Sequence, residues 1–290
     1  MATLLSLSIN VREVASLETI NVIKLPQDFS GPLLAMAWSP TSRLILVAAA
    51  DQIVVISAVE STFRAILRNP APPGAKPAFI AFGPTDTEVC VCTSLGLKFT
   101  IYNLVSTNAT EISNPKFWAA TTARKGYSFR GDTGHLAVMT RVAGKDVVSI
   151  HRPVTREVQR SWYPDTVDAQ GIIWTPDNRW LAIWDSAGQG HRVLFYTADG
   201  NLFKVWSGPQ NQPAAAAEAK LGAGVKLMQF SPVAGRLAIA DHSRCISLLN
   251  VDTVSEAMRL QHPGGGIAPS ETLQVKFALA FVHDWPPKLH

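Results

Sequence analysis

Cysteine is scarce: only Cys90, Cys92 and Cys245 occur in 290 residues. Three thiols cannot build a disulfide framework, so a reducing compartment is expected. Charge is also thin, at 17% of residues, below the usual quarter. Lysine and arginine never form a run of four, so the formal charge of +4 and pI near 9.0 lend no local support to binding of nucleic acid or anionic lipid. No apolar run approaches the roughly 18 residues that cross a bilayer. Residues 1–9 lack a positively charged start and are broken by serines, so no signal peptide is expected. The cytosol or nucleus is the simplest location.

Catalytic signatures are missing as well. No Gly-x-Ser-x-Gly elbow occurs, and the seven histidines (His135, His151, His191, His242, His262, His283, His290) show no His-x-x-x-His or His-Glu-x-x-His spacing. They read as turn and surface residues. Gly188-Gln189-Gly190 falls between two predicted strands rather than between a strand and a helix, so it reads as a hairpin tip and not a phosphate cradle. Cys90 and Cys92 would share one face of a strand, but no further metal ligand is local, and two small buried core residues is the expected reading. Asp132, Asp177, Asp185, Asp199 and Asp241 fall mostly in turns, where aspartate bonds its own backbone. Asn108-Ala109-Thr110 has sequon form and reads as an unmodified loop. No catalytic residue, cofactor or metal site is expected, and no small-molecule substrate.

What the chain does have is short apolar runs punctuated by turn chemistry, in a sequence that is 47% hydrophobic. Gly171-Ile172-Ile173-Trp174 is a strand-length run, and Thr175-Pro176-Asp177-Asn178 reverses the chain. Trp180-Leu181-Ala182-Ile183-Trp184 is apolar at every position, as in a strand covered on both faces. Ser186 to Gly190 turns into Arg192–Tyr196, and Ala198-Asp199-Gly200 turns into Leu202–Trp206. Four antiparallel strands are therefore predicted in about forty residues.

The same phrase recurs. An aromatic followed by a turn appears at Trp38-Ser39-Pro40, Phe82-Gly83-Pro84, Phe129-Arg130-Gly131, Trp174-Thr175-Pro176 and Phe230-Ser231-Pro232. The steps are 44 residues from Trp38 to Phe82, 47 to Phe129, 45 to Trp174 and 56 to Phe230. The long step holds Gln210-Asn211-Gln212-Pro213 and the alanine-rich stretch to Ala219, which reads as a loop insertion of about ten residues; its alanines are the one place where a helix could start. A period of roughly 40 to 45 residues with four strands per unit is that of WD-type β-propeller blades.

An all-β, incomplete WD-type β-propeller is therefore expected: about five four-stranded blades plus a partial one, forming an open arc. Residues 1–30 are assigned to the last strand of a truncated first blade and a linker, with 8–24 read as one strand. Residues 31–263 hold the five blades, and 264–290 form a flexible tail in which Leu273–Val282 suggests an extra strand. A WD-type ring usually closes with seven blades, which at about 44 residues each needs roughly 310 residues. Either the chain is part of a longer protein or a partner completes the ring. Of the eight tryptophans, Trp38 and Trp174 are expected to pack between blades and Trp180, Trp184 and Trp206 to share one blade. Trp118, Trp162 and Trp285 fall between blades or in the tail, where an exposed ring would anchor an interface.

Three stretches resemble one known family. Gly171 to Pro176, Leu181-Ala182-Ile183-Trp184-Asp185 and Leu194 to Leu202 look like the middle of the spindle-pole-body and centrosomal WD-repeat protein, a subunit of the microtubule minus-end anchoring complex. Asn114-Pro115-Lys116, Asp146 to Ile150, Ile246 to Asn250 and His262-Pro263 agree with it, so that the likeness spans roughly residues 10 to 263. The resemblance implies a non-enzymatic scaffold acting in mitosis at the spindle pole body or microtubule-organising centre, in the cytoplasm and cytoskeleton. It also implies protein partners: a coiled-coil anchoring protein and, in fungi, a minus-end-directed kinesin. The alternative is a generic WD-repeat scaffold in another complex, such as ubiquitin ligation or translation. The Trp-Asp pair that names such repeats is replaced by Ser57-Ala58, Tyr102-Asn103, His151-Arg152, Tyr196-Thr197 and Leu249-Asn250, and no Gly-His precedes the blades. The Asp-His-Ser/Thr-Trp network of typical repeats is therefore not expected, and apolar packing must hold the blades.

Overall fold

Five four-stranded antiparallel sheets and one three-stranded sheet follow one another along the chain, each with its strands in sequence order. The computed structural model describes residues 2–5, 8–29, 31–60, 64–68, 70, 77, 79–93, 98–116, 126–208, 224–231, 235–242 and 245–261. They divide into two units, residues 1–120 and 121–290. The expected insertion at 210–219, the tail strand at 273–282, Trp118 and Trp285 lie outside the described residues. Among the described residues the only helical turn is a 3-10 turn at Ala187–Gln189.

In the first unit, β1 (Ala2–Leu5), β2 (Ser8–Arg12) and β3 (Thr19–Lys24) form the three-stranded sheet. Blade one comprises β4 (Ala35–Trp38), β5 (Leu44–Ala48), β6 (Gln52–Ser57) and β7 (Arg64–Arg68). Blade two comprises β8 (Phe79–Phe82), β9 (Glu88–Cys92), β10 (Lys98–Asn103) and β11 (Ala109–Ser113). In the second unit, blade three comprises β12 (Tyr127–Phe129), β13 (Leu136–Val142), β14 (Lys145–His151) and β15 (Val158–Trp162). Blade four has β16 (Gly171–Trp174), β17 (Leu181–Trp184), β18 (Val193–Tyr196) and β19 (Leu202–Trp206). Blade five has β20 (Val225–Phe230), β21 (Arg236–Asp241), β22 (Cys245–Asn250) and β23 (Ser255–Gln261).

The recurring aromatic ends the first strand of every full blade, and it sets the register of the first hairpin. Trp38 pairs with Ile45, Phe82 with Val89, Phe129 with Leu136, Trp174 with Leu181 and Phe230 with Leu237, always seven positions on. The next residue's N–H closes the turn on a carbonyl five positions further: Ser39 to Leu44 at 2.9 Å, and Gly83 to Glu88, Arg130 to His135, Thr175 to Trp180 and Ser231 to Arg236 at 2.8 Å. An aromatic facing an aliphatic across a hairpin packs well on a pleated surface, and the fixed turn prevents a slip that would send every side chain to the wrong face.

The second strands β5 and β17 are continuous apolar runs because sheets on either side within the same unit cover both of their faces. In β5, Ile45 and Val47 pack with Ile9, Val11 and Ile23 of the first sheet, whereas Leu46 and Ala48 pack with Ile80, Val89 and Val91 of blade two. In β17, Leu181 and Ile183 join Met139, Val148 and Ile150 of blade three, while Ala182 and Trp184 join Met228, Leu237 and Ile239 of blade five. Each large side chain so buried contributes about 1.5 to 3 kcal/mol. Trp184 lies across its strand partner Gly171, where an added Cβ would stand 2.1 Å from the indole ring.

Residues 8–24 are two strands, not the single strand expected from their alternation, and β1 adds a third. Glu13 N–H donates to the Glu18 carbonyl at 3.0 Å and Leu17 N–H to the Glu13 carbonyl at 3.1 Å. Leu17 reverses the chain at φ 60°, and the third-to-fourth-strand turns use Thr107, Arg156 and Val254 in the same left-handed region, with φ between 49° and 60°. Non-glycine residues seldom adopt that conformation, and at these positions no glycine announces the reversal. Gly200 is the exception, at φ 86°, and a Cβ there would lie 2.7 Å from the Trp162 ring.

Candidate functional site

Blades three and four of the second unit enclose a cleft of about 500 Å³, lined by Arg130, His135, Ile150, Gln159, Arg160, Trp174, Ala198 and Asp199. Arg130 follows the aromatic that ends β12, and its guanidinium lies over the Trp174 ring, 5.4 Å from the centroid. Its Nε is 2.9 Å from Asp132 Oδ1. His135 Nδ1 lies 2.8 Å from the Thr133 hydroxyl in the same turn. Gln159 and Arg160 project from β15 and are exposed. Blade four supplies Trp174, which is 5% exposed, and Ala198 and Asp199 from the turn before β19. One wall is thus cationic and polar, and the other is an indole and a methyl group with a carboxylate at the rim.

A second arrangement fixes the connector on the other ends of these blades. Asp146, near the start of β14, accepts from Ala169 N–H at 2.7 Å and the Thr166 hydroxyl at 3.1 Å. Asp185, directly after β17 and 0% exposed, accepts from Val167 N–H at 3.0 Å and Asp168 N–H at 2.8 Å. One carboxylate from each blade therefore grips the segment between them. Arg141 pairs with Asp168 at 2.6 Å and Arg192 with Asp165 at 2.5 Å, while the Tyr196 hydroxyl accepts Asp165 N–H at 2.7 Å. Burial pushes the Tyr196 phenol above its usual range. In blade five, Asp241 accepts Cys245 N–H at 2.8 Å and lies 2.9 Å from Nε2 of His191, which comes from blade four.

These contacts extend the turn reading of two aspartates. Asp185 and Asp241 do bond nearby backbone, Ser186 N–H at 3.0 Å and Cys245 N–H at 2.8 Å, but each is buried and also links distant segments. Asp177 does behave locally: against the opposing effect of partial burial, bonds from the Thr175 hydroxyl at 2.5 Å and Arg179 Nε at 2.6 Å hold its carboxyl below the usual range. The sequence does not mark Asp146 as a clamp, whereas Asp185 and Asp241 share a signal, since Leu181-Ala182-Ile183-Trp184-Asp185 and Leu237-Ala238-Ile239-Ala240-Asp241 follow one pattern.

The histidines divide. His135 is half-buried and His242 exposed, while His262, His283 and His290 lie outside the described residues. His151, in β14, and His191, in the turn before β18, are buried, contrary to their reading as surface residues. His151 Nδ1 is 2.8 Å from the Arg156 carbonyl and Nε2 is 2.9 Å from the Ser149 hydroxyl. A carbonyl only accepts, so Nδ1 carries the proton, and in the neutral ring Nε2 accepts from Ser149. Burial pushes His151 below the ordinary histidine range, with the Arg156 carbonyl only partly opposing it.

Cys90 and Cys92 are buried in β9. Burial pushes the Cys92 thiol up to about 12, so it stays protonated at neutral pH and acts as a small apolar side chain. Trp174, Trp184 and Trp206 are core residues, and Trp38 packs against the core of the first unit. Trp180 stacks on Phe203 at 3.9 Å. Trp162 is no free anchor: it packs on Tyr196, at 6.0 Å between rings, and beneath Gly200.

No family model matches the chain. Over 182 residues, 63% of its length, the chain is 29% identical to WD repeat-containing protein WRAP73 of Mus musculus, of which the match covers 36%. Over 260 residues, 87% of its length, it is 23% identical to an uncharacterised WD repeat-containing protein of Schizosaccharomyces pombe, of which it covers 50%. These findings support a WD-repeat protein. The chain spans about a third and a half of the lengths of these two curated relatives. Their WD-repeat character and the blades described above support a scaffold built on WD-type propeller blades, a class that generally mediates protein interactions.

Proposed function

We propose that the protein is a non-enzymatic WD-repeat scaffold of a spindle pole body or centrosomal complex, one that anchors microtubule minus ends and supports organisation of the mitotic spindle. Its partners on this reading are a coiled-coil anchoring protein and, in fungi, a minus-end-directed kinesin. The observation that carries the reading is the run from Gly171 to Leu202, whose likeness to the spindle-pole family coincides with blade four, the sheet gripped by Asp185 and flanked by the cleft. The cleft offers a recognition surface, and the carboxylate-held connector keeps its two walls in register.

The test is to tag the protein in its own cells and follow it through mitosis. Signal at the spindle poles together with co-purification of a coiled-coil protein is expected; diffuse signal with no such partner overturns the reading.

A further inference from the structure

Resting on that scaffold reading, we infer that the cleft between blades three and four binds a short acidic segment of a partner protein, one that carries an apolar side chain beside its carboxylates. The volume of about 500 Å³ suits a few side chains rather than a folded domain. The cleft is chemically divided. Blade three contributes Arg130, His135, Gln159 and Arg160, all able to donate hydrogen bonds to a carboxylate. Arg130 has Asp132 at its Nε, whereas no carboxylate among the described residues pairs with Arg160, which is exposed. An incoming carboxylate would gain a charge-assisted bond at Arg160 without displacing an internal one.

Blade four contributes the opposite wall, where half-buried Ala198 offers a small apolar surface backed by the buried Trp174 and, from blade three, Ile150. The Arg130 guanidinium lies over the buried Trp174 ring, 5.4 Å from its centroid, so an aliphatic side chain entering beside Ala198 meets a wall whose shape is set in advance, and little ordering cost remains. Asp199 at the rim decides between classes of partner. Its negative charge repels a ligand charged at every repeat, such as a nucleic acid strand, more than a segment that carries an isolated carboxylate. The occupant is therefore amphipathic, acidic at one side chain and apolar at the next.

The test uses the full chain and a fluorescein-labelled peptide of glutamates interspersed with leucines, read by fluorescence anisotropy at low salt. The expected result is saturable binding that weakens about tenfold in Arg160→Glu and to a lesser degree in Arg160→Gln. Arg152→Glu makes the same change in net charge at an exposed residue outside the cleft lining, and it is expected to leave binding unchanged. A peptide with glutamine in place of glutamate is expected to bind at least tenfold more weakly, as is one with serine in place of leucine. The inference is overturned if the glutamate–leucine peptide does not bind, if Arg152→Glu weakens it as much as Arg160→Glu, or if a single-stranded oligonucleotide binds more tightly than the peptide. Those failures leave spindle-pole localisation standing, whereas peptide binding by a protein that never reaches the poles would retain the cleft and remove the proposed function.

Discussion

The two units close the hairpin between the second and third strands of their blades in different ways. In blade one the turn is Ala49, Ala50 and an exposed Asp51, and the neutral Gln52 amide ties in the preceding loop through a 2.8 Å bond to the Asp28 carbonyl. In the second unit a buried carboxylate stands at each equivalent hairpin: Asp146, Asp185 and Asp241. A neutral amide–carbonyl bond contributes about 1 kcal/mol net, and its loss leaves little behind. A buried carboxylate makes stronger bonds but pays heavily for leaving water, so it stabilises only while its set of donors is complete. The second unit is thus tightly fixed when intact and sensitive to the loss of single groups.

The largest effect that could break this comparison is at Asp185. Asp185→Ala orphans the Val167 and Asp168 N–H groups and leaves Arg192 without one of its carboxylates, and it is expected to destabilise the second unit by about 3 to 5 kcal/mol. Hydrogen exchange read blade by blade should show blades three and four opening while blade one keeps its protection. Next comes Gly171→Ala, whose Cβ would drive into Trp184; overpacking is expected to cost about 1 to 3 kcal/mol, visible as a lower urea midpoint followed by tryptophan fluorescence. Gln52→Ala, the first unit's counterpart to the aspartate change, is expected to cost only about 1 kcal/mol in the same denaturation experiment. An equal loss at Gln52 and Asp185 would erase the distinction between the units.

The smallest effect concerns pH and sharpens the contrast on the acid side. His151 is held below its usual range by burial, so the unfolded chain takes up the proton more readily than the folded one. The stability this provides is fully present above the unfolded value of about 6.5 and is lost as pH falls below it. His151→Gln is expected to flatten the decline in urea midpoint between about pH 7 and pH 5, and an unchanged slope would assign that decline to other groups.

The repeat was legible because it is written in residues that act locally. An aromatic, a turn and an aliphatic seven positions on are enough to form a hairpin, and all five instances fold as one. The turn at Glu13–Leu17 was not legible, because Leu17 sits at φ 60° with neither glycine nor asparagine to mark it. Nor were the links made by Asp146, Asp185 and Asp241. Beside their nearby bonds they reach partners 17 to 50 positions away, and nothing in an isolated aspartate distinguishes a turn former from a buried clamp. The cleft was illegible for the same reason: Arg160 and Asp199 have no relation until two sheets meet.

Local pattern alone determined that this chain forms antiparallel sheets at a regular period and where each first hairpin turns, since those outcomes depend on backbone preference and alternation within a few residues. Tertiary structure decided which polar groups are buried, that His151 is a core residue, and that Arg130 of one blade lies over Trp174 of the next. Burial and charge pairing arise only when segments far apart in sequence exclude water together, and no property of any one segment carries that information.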